Sequence, residues 1–545
     1  MRTFLCMTVA ALTACVAVGQ NGENSLRFEA ADVHPTSLTA NNSQFSRGPF
    51  ILGARYDLHS STMVDLISKA YGVVSDKVLE GPSWLEYDRF DVSALMPPKT
   101  SSENAKLMLQ ALLADRFQLV LHKEDRPLPA YVLSAPKGKQ KLKEADGSGD
   151  TGCRMTIDQA RSVEGVVSNL TLVYTCRSMT MTSFAEGMTN MAIAQQYVGT
   201  NPVQDKTGLE GKWDFTLKYN LPTAAGAPGD NITIQDAVDK QLGLKLEQQT
   251  ISLPVLVVDK LSRAPSPNAP DVSKKIPALP AEFEVATVKP MEPIGNANGP
   301  IAIGIRFAGG RVEMSGLPLK TLILQAWGVQ ADSLVGGPKF LDTDRYSIVG
   351  KMPAGEAVPA PNSPLDQDAV GLMLRALLAE RFNLKTHFEE RPMTAYTLTA
   401  PKPKLKKADP STRTKWTDGN TPIVLSNGNI PSRTVKFQNM SMAQLAEKLQ
   451  SLGSAYIHAP VLDGTGLEGS YDFTLTFSPI APAQLATLVT RAAEVGGGAA
   501  GAADPMGGVT LFDAIDKQLG LKLVEQKRPV RVLVIDHIDE KPTDN

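Results

Sequence analysis

Two histidines stand at matching positions in two similar segments, and their charged neighbours could support acid–base chemistry. His122 is followed by a glutamate two residues on and by Arg126, and His387 is followed in the same way by a glutamate and by Arg391. Alternate residues of a strand share one face, so each histidine could pair with its carboxylate as a general acid–base. An extracytoplasmic hydrolase is therefore one alternative function. Ion pairs of this kind also hold hairpins together, which is the favoured interpretation. The four residues are then candidates for ligand contact.

The pattern offers little further chemistry. No two histidines lie at metal-binding spacing, and the sequence has no His-Glu-x-x-His segment and no closely spaced cysteine pair. The remaining histidines have no counterpart in the other similar segment, and these are His34, His59, His458 and His537. No serine is matched beside a base. We therefore predict no catalytic residue, no metal ligand and no cofactor.

The segment Asp205-Lys-Thr-Gly208 is similar to the phosphorylated-aspartate motif of cation-pumping ATPases. Its counterpart, Asp463-Gly-Thr-Gly466, lacks the lysine. A Thr-Gly-Leu-Glu-Gly run before alternating aromatic residues is typical of a turn that enters a strand, with glycines supplying positive φ. Both segments are predicted to be turns.

Arginines and lysines also repeat. The arginines of Asp88-Arg-Phe90 and Asp115-Arg-Phe117 recur in 344–346 and 380–382, and could bind a carboxylate or phosphate. The favoured interpretation is that these arginines bind groups of the protein itself at helix ends and strand edges. A lysine run follows each hairpin and is interpreted as a solvated loop, with an anionic envelope polymer or a lipid headgroup as the alternative. The runs are Lys137, Lys139, Lys141 and Lys143, and Lys402, Lys404, Lys406 and Lys407.

The elements that must position these residues occur twice. Similar segments follow one another in the same order, 28–35 with 283–290, 112–119 with 377–384, 205–215 with 463–473, and 236–246 with 513–523. This order indicates a tandem duplication of one domain. A fainter repeat inside each copy predicts two half-units per domain, with Leu319 and Met442 at corresponding helix starts.

Helical spacing alternates with strand patterns along both copies. Residues such as Leu319, Leu322 and Ile323 have helical spacing, whereas 131–134 and 396–399 alternate as strands. Short helices mixed with hairpins predict an α+β fold with largely antiparallel sheets. The predicted domains are 26–261 and 282–540. They are joined by a Pro-rich linker at 262–281, and a Gly/Ala-rich insert at 495–508 is predicted to be disordered.

The first 20 residues read as a signal peptide. A positive start precedes an apolar run that is too short for a membrane span, and small residues end at Gly19. Leu12-Thr-Ala-Cys15 offers the alternative of a lipobox, in which Cys15 would carry a lipid. Cys153 and Cys176 are then the only cysteines of the mature chain, and in an exported protein they are predicted to form a disulfide.

The overall charge excludes one class of partner. A formal net charge of −2 gives no field that attracts nucleic acid. The two domains are large enough for their own cores. They are expected to fold separately, because a Pro-rich linker offers few cross-domain contacts.

Both copies resemble an uncharacterised secreted family of soil acidobacteria, known as a domain of unknown function. The resemblance rests on Phe283-Glu-Val-Ala-Thr-Val-Lys-Pro290, on the Leu-Leu-Ala-Glu-Arg-Phe helix at 377–382, and on Gln518-Leu-Gly-Leu-Lys-Leu523. Similar domains are fused to membrane zinc peptidases of the antibiotic-sensor type, which implies a sensing or interaction role outside the membrane. The resemblance implies no activity or ligand.

These patterns together favour an exported, non-enzymatic binding or interaction module of the cell envelope. An envelope protein or an anionic envelope polymer is the expected kind of partner, and contact with the membrane requires a lipid anchor. The alternatives are the hydrolase described above and a purely structural envelope component.

Overall fold

The computed structural model describes residues 26–36, 46–147, 151–159, 170–192, 194–199, 201–220, 232–291, 304–308, 310–353, 366–419, 433–454, 456–457, 459–479 and 509–543. The predicted signal peptide with Cys15, the predicted disordered insert at 495–508 and His458 lie outside these residues. Every helix in the described ranges is too short or too polar to span a membrane.

The first domain consists of short helices and strands in alternation. Its strands are β1 (Ala30–Pro35), β2 (Arg47–Leu52), β3 (Arg55–Thr62), β4 (Val78–Glu80), β5 (Arg89–Leu95), β6 (Val120–Ser134), β7 (Lys143–Glu144), β8 (Gly152–Gln159), β9 (Leu170–Met179), β10 (Val203–Lys206), β11 (Trp213–Asn220) and β12 (Lys245–Lys260). Its helices are α1 (Met63–Tyr71), α2 (Ser102–Phe117), α3 (Met181–Met188), α4 (Ala194–Val198) and α5 (Ile234–Ala237), and a π-helical turn at Val238–Leu242 continues α5. Helix α6 (Val272–Lys275) lies between the domains.

The second domain repeats this order. Its strands are β13 (Val285–Met291), β14 (Gly304–Ala308), β15 (Arg311–Pro318), β16 (Leu334–Val335), β17 (Arg345–Lys351), β18 (Lys385–Thr399), β19 (Lys406–Lys407), β20 (Lys415–Gly419), β21 (Arg433–Ser441), β22 (Val461–Asp463), β23 (Ser470–Phe477) and β24 (Lys522–His537). Its helices are α7 (Leu319–Trp327), α8 (Phe340–Thr343), α9 (Gln367–Phe382), α10 (Met442–Leu452) and α11 (Leu511–Ala514), with a π-helical turn at Ile515–Leu519.

Three four-stranded sheets form in the described part of each domain, with equivalent strand orders. The orders are β1-β5-β3-β2, β10-β6-β12-β4 and β7-β11-β9-β8 in the first domain, and β13-β17-β15-β14, β22-β18-β24-β16 and β19-β23-β21-β20 in the second. Most strand pairs are antiparallel. The predicted α+β class with two homologous tandem domains is confirmed.

Each domain is built from two half-units with one order of elements. In the first half-unit the hairpin of β2 and β3 leads into α1, and then β4, β5, α2 and the central strand β6 follow. In the second half-unit the hairpin of β8 and β9 leads into α3 and α4, and then β10, β11, α5 and the central strand β12 follow. Helix α7 begins at Leu319 directly after β15, and α10 begins at Met442 directly after β21. The predicted half-repeat is therefore present in the topology.

The two half-units complete each other's central sheet. Strands β6 and β12 form a long antiparallel ribbon. Short β4, from the first half, pairs in parallel with β12, while β10, from the second half, pairs in parallel with β6. Strands β16 and β22 are exchanged in the same way in the second domain. Because neither half closes its own central sheet, the whole domain is the unit that must fold.

A bulge with left-handed backbone precedes the first helix of every half-unit. The register slips at this point in all four strand pairs. The residues with positive φ are Ser60, Ser178, Gly316 and Asn439. At the first of them, the backbone N–H donates to the Asp91 carboxylate of the neighbouring strand at 2.7 Å. The bulge turns the chain sharply from the sheet into the helix.

The segment 262–281 is fastened to the first domain. Val272 and Ile276 are buried against Ala30. Asn268 accepts a hydrogen bond from the Val33 N–H at 3.0 Å. Two well-spaced apolar side chains are thus enough to dock a short helical turn of the linker on the first domain.

The two domains also contact each other directly. Arg413 donates to Glu86 at 2.7 Å, and the Tyr87 hydroxyl donates to Glu447 at 2.7 Å. The expectation of few cross-domain contacts is therefore wrong, because these partners are far apart in the chain and no local pattern reveals them. Separate folding of the domains stays a prediction.

Candidate ligand site between the two domains

The structure places His122 and His387 on the surface of the two long ribbons. Nδ1 of His122 lies 2.9 Å from the Asp259 carboxylate, and its Nε2 lies 3.7 Å from Glu124. About half of each histidine side chain is exposed. The corresponding groups in the second domain are His387, Asp536 and Glu389, at 2.9 and 3.6 Å.

Both ring nitrogens of each histidine face carboxylates. The hydrogen bond to Asp259 raises the pKa of His122, and the hydrogen bond to Asp536 raises the pKa of His387. A protonated imidazole has no lone pair with which to act as a base or to bind a metal ion. Within the described ranges, no hydroxyl or thiol bonds to either ring. The hydrolase alternative therefore has no activated nucleophile at these histidines.

Arg126 and Arg391 extend the same ion-pair ladders. Arg126 lies 2.9 Å from Glu124 and 3.0 Å from Glu80, and Arg391 is paired with Glu389. Exposed ion pairs of this kind contribute little to stability, because water and salt screen them. Each of the four candidates for ligand contact is thus ion-paired with a carboxylate of its own domain.

The repeated arginines bind groups of their own domain. Arg89 donates to the Ser60 carbonyl at 2.5 Å, and Arg345 donates to the Gly316 carbonyl at 2.8 Å, so both hold the bulge before a helix. Arg116 donates to the Ala31 carbonyl at 3.1 Å and also reaches the linker. Arg381 lies 3.6 Å from its neighbour Glu380. These contacts agree with the internal role favoured by the sequence.

One lysine of each basic run closes the end of a helix. Nζ of Lys141 donates to the Lys240 carbonyl at 2.8 Å, and Nζ of Lys404 donates to the Lys517 carbonyl at 2.9 Å. Both carbonyls belong to π-helical turns, whose last carbonyls lack partners within the helix. The lysines of both runs are exposed, as expected for solvated loops.

The Thr-Gly segments are turns in both copies. An oxygen of Asp205 accepts the Thr207 N–H at 2.9 Å, and Asp463 accepts the Thr465 N–H at 2.9 Å. The glycine that follows has a φ of 65° in each case. This local hydrogen bonding accounts for the aspartate without a phosphorylation chemistry.

A pocket of about 400 Å³ opens where the two domains and the linker meet. Its volume lies in the usual range for small-molecule sites, and domain interfaces are common places for them. Its lining residues are Pro35, Thr36 and 86–90 from the first domain, Arg263 and Ala264 from the linker, and Trp416, Glu447 and Lys448 from the second domain.

Helix α10 places Lys448 and Glu447 at this pocket. A capping box at Ser441 begins the helix, and its buried side includes the fully buried Leu449. Lys448 stands next to that buried side and is only 3% exposed. Its Nζ lies 5.2 Å from the ring centre of Trp416, within the range of a cation–π contact.

Two of the three acidic side chains at the pocket are neutralised by arginine. Asp88 accepts two hydrogen bonds from Arg263, at 2.6 and 3.2 Å. Glu86 accepts from Arg413 at 2.7 Å. Each of these two ion pairs is neutral, so neither contributes a net charge to the pocket.

The remaining charged residues of the lining are two cations and one carboxylate, and the Asp65 carboxylate outside the lining also acts on Arg89. Arg89 and Lys448 stand against Glu447, which accepts the Tyr87 hydroxyl. Burial and then the charge of Arg89 lower the pKa of Lys448 to about 8, against the opposing effect of Glu447. The charge of Lys448 at the pocket therefore depends on pH near neutrality, and an anion bound beside it would stabilise the charged form.

A second group of charged residues joins the domains beside the start of α9. Nε2 of His59 lies 3.4 Å from Asp366 and 3.9 Å from Asp368. These three residues can bring one ligand atom each within 4.8 Å of the others, which suits a divalent cation. However, Arg47 already donates two hydrogen bonds of 3.2 Å to Asp368. The group is therefore best described as an ion-paired contact between the domains.

Burial and ion pairing oppose each other at this contact. Burial alone lowers the pKa of His59, but the hydrogen bond and charge of Asp366, with Asp368 and Asp57, outweigh it and the net pKa is raised. Burial alone raises the pKa of Asp366, but His59, the Asp368 N–H and Arg47 outweigh it and the net pKa is lowered. Both shifts favour the charged pair.

The contact should consequently be strongest at mildly acidic pH. The contribution of His59 is complete below its ordinary value of 6.5 and is lost as pH rises through the raised pKa. That of Asp366 is complete above its ordinary value of 3.8 and is lost as pH falls through the lowered pKa. We expect His59→Gln to remove about 1 kcal/mol of stability near pH 5 and almost none near pH 9.

Urea unfolding of the wild type and the variant across this pH range measures the difference. Asp366→Asn is the matched variant, because asparagine can still cap α9 while the charge is gone. A constant difference between wild type and His59→Gln at all pH values would contradict the assignment.

Matched positions of the two copies do not point to the pocket between the domains. Lys448 is the seventh residue of α10, and the seventh residue of the equivalent α3 is Gly187. A residue present in one copy alone is not a repeated feature of the sequence. The feature of the sequence that could have pointed to Lys448 is its place directly before Leu449, a core position of an amphipathic helix.

Comparison with known proteins gives a family and no activity. A family model described as "Protein of unknown function (DUF3738)" matches the chain twice, at residues 64–261 and 320–538. No curated protein and no solved structure matches. The two matches cover most of the chain and fall on the two domains. The chain thus belongs to the DUF3738 family of unknown function and carries its domain as two tandem copies.

Proposed function

We propose that this protein is an exported binding protein of the cell envelope, and that the pocket between its domains binds a small organic anion. The observation that carries the proposal is the buried Lys448 ammonium over the Trp416 ring, with Arg89 on the facing wall. Ammonium and guanidinium groups bind a carboxylate, and the aromatic ring offers a flat apolar face to the rest of the ligand.

The anionic character of the ligand follows from the charges. Two of the three acidic groups at the pocket are paired with arginine, so a carboxylate would meet the Lys448 ammonium and the Arg89 guanidinium with Glu447 as the one remaining carboxylate of the lining. Export is supported by the apolar N-terminal segment and by the cysteine pair. The hydrolase and the structural component remain alternatives, with no described nucleophile beside either ribbon histidine for the former.

Lys448→Met should weaken the binding of aromatic carboxylates about tenfold or more. Methionine keeps the apolar stem and removes the charge, and hydrogen bonds to charged groups contribute roughly 1.5–3 kcal/mol. Calorimetric titration with benzoate and phenylacetate, against benzamide and phenylacetamide, measures the effect. The neutral amides should bind weakly to both proteins, and equal binding of carboxylates and amides by the wild type would overturn the proposal.

The repeat offers a matched control. Arg89→Ala and Arg345→Ala each remove the same hydrogen bond to a bulge carbonyl, so both should lower stability to a similar degree. Arg89 lines the pocket and Arg345 occupies the equivalent position of the other domain, so only the first variant should lose benzoate binding. Benzoate affinity should also fall as pH rises through about 8, where Lys448 loses its proton. Equal effects of the two arginine variants would contradict the site.

A further inference from the structure

A larger pocket, of about 710 Å³, lies inside the first domain. It is formed where α1 and the start of α2 face the turn after α3. Its apolar walls include Ile51, Val73, Val74 and Ala105, and the exposed Ile51 and Val74 flank its mouth. A concave apolar surface of this size is suited to an organic ligand.

The polar groups at this pocket that have no partner among the described residues include three on β3 and α1. The Ser68 hydroxyl is fully buried without a hydrogen bond. Tyr56 is only 3% exposed, and its hydroxyl bonds to no described group. The half-buried Lys69 forms no ion pair within the same ranges. Each of the three can donate a hydrogen bond, and a buried donor without an acceptor is costly.

Other charges nearby are already accounted for. Lys106 is held by Glu103 at 2.8 Å, and Asp76 is exposed to solvent. Burial raises the pKa of Tyr56, so its hydroxyl stays protonated and remains a donor. Tyr56 and Lys69 therefore present donors to a ligand that enters the pocket, whose lining also includes the exposed Asp76 carboxylate.

The second domain shows that the fold does not need these polar groups. Strands β3 and β15 have eight residues each, helices α1 and α7 have nine each, and they align without a gap. Val312 stands in the place of Tyr56 and is fully buried, and Leu324 stands in the place of Ser68 and packs against the core. The unpartnered hydroxyls are thus particular to the first domain.

We propose that this pocket binds a single-chain carboxylate amphiphile, such as a medium-chain fatty acid. The carboxylate accepts hydrogen bonds from Tyr56 and Lys69, which supplies the acceptors that these two groups lack. The alkyl chain lies along Ile51, Val73 and Val74. This site is separate from the pocket between the domains and does not depend on its proposed role.

Octanoate, decanoate and dodecanoate below their micellar concentrations are the probes, titrated calorimetrically into the full-length mature protein. Affinity should rise about fourfold for each added methylene while the chain still contacts the walls. Dodecanol, which lacks the charge, should bind at least tenfold more weakly than dodecanoate. Equal affinity for dodecanol and dodecanoate, or no binding of any of these acids, would overturn the proposal.

Variants that copy the second domain test the residues. Ser68→Leu with Lys69→Gln introduces the side chains that α7 carries at these positions, so the helix should fold. This double variant should lose dodecanoate binding by at least tenfold. Tyr56→Phe keeps the buried ring and should weaken binding by a similar factor without lowering the melting temperature. Unchanged affinity in both variants would contradict the assignment.

Two further measurements distinguish this pocket from the pocket between the domains and from a membrane surface. Lys448→Met should leave dodecanoate affinity unchanged, and a parallel loss would place the acid between the domains instead. Vesicles of phosphatidylglycerol distinguish a free amphiphile from a lipid bilayer as the bound species. Sedimentation with vesicles in the absence of dodecanoate binding would also overturn the proposal.

Discussion

Replacing Gly243 by alanine should lower the free energy of unfolding of the first domain by roughly 2–5 kcal/mol. Gly520→Ala should do the same to the second domain. Each glycine ends a π-helical turn, with φ of 69° and 66°. A Cβ at Gly243 would overlap the carbonyl group of Lys139, and a Cβ at Gly520 would overlap that of Lys402. Both the left-handed backbone and the backbone overlap oppose the substitution.

Gly208→Ala and Gly466→Ala are the matched controls. These glycines have φ of 65°, close to the values above, but a Cβ there would meet nothing within 4 Å. They should therefore lose only about 1–2 kcal/mol, the cost of a left-handed alanine. Urea unfolding followed by hydrogen exchange of peptides from each domain measures both sets. A loss in Gly243→Ala no greater than in Gly208→Ala would show that the Lys139 carbonyl moves aside easily.

Loss of the disulfide should lower the stability of the first domain by about 3 kcal/mol. The structure contains the predicted bond between Cys153 and Cys176, which stand opposite each other on β8 and β9. The bond closes a loop with a sequence separation of 23 and so restricts the unfolded chain. Cys153→Ser with Cys176→Ser should show this loss in urea unfolding.

The second domain provides the control for this prediction. It has no cysteine, so reducing agent should leave the hydrogen exchange of its peptides unchanged. The single variant Cys153→Ser, measured under reducing conditions, removes the bond but keeps the Cys176 side chain, which is buried in the core. A wild-type protein equally stable with and without reductant would contradict the predicted contribution.

Local patterns were sufficient for much of the architecture. Leu319, Leu322 and Ile323 show helical spacing in the sequence and lie on the buried face of α7. The Thr-Gly turns follow from the short-range hydrogen bonds of Asp205 and Asp463, which need no distant partner. Similar half-units are visible in the sequence because each repeats the same alternation of helix and strand.

Partners that are distant along the chain have no such local pattern. His122 is conspicuous in the sequence because its neighbours are charged, yet nothing there indicates its principal partner, Asp259. The two residues meet only because β6 and β12 lie side by side. The linker contacts of Val272 and Ile276 depend in the same way on a distant surface.

The sequence by itself determined the duplication, the half-units, the α+β class and the pairing of two cysteines, because each depends on short-range periodicity or on a small choice of partners. Only the tertiary structure decided where ligands could bind. Arg89 joins Lys448 and Trp416 at one pocket because the two domains dock, and Tyr56 and Ser68 line another pocket because a strand and a helix pack together. Such a site depends on the relative placement of segments that are distant in the chain. A comparison of the two copies reveals the residues that they share, and it misses residues such as Lys448 and Tyr56 that occur in one copy alone.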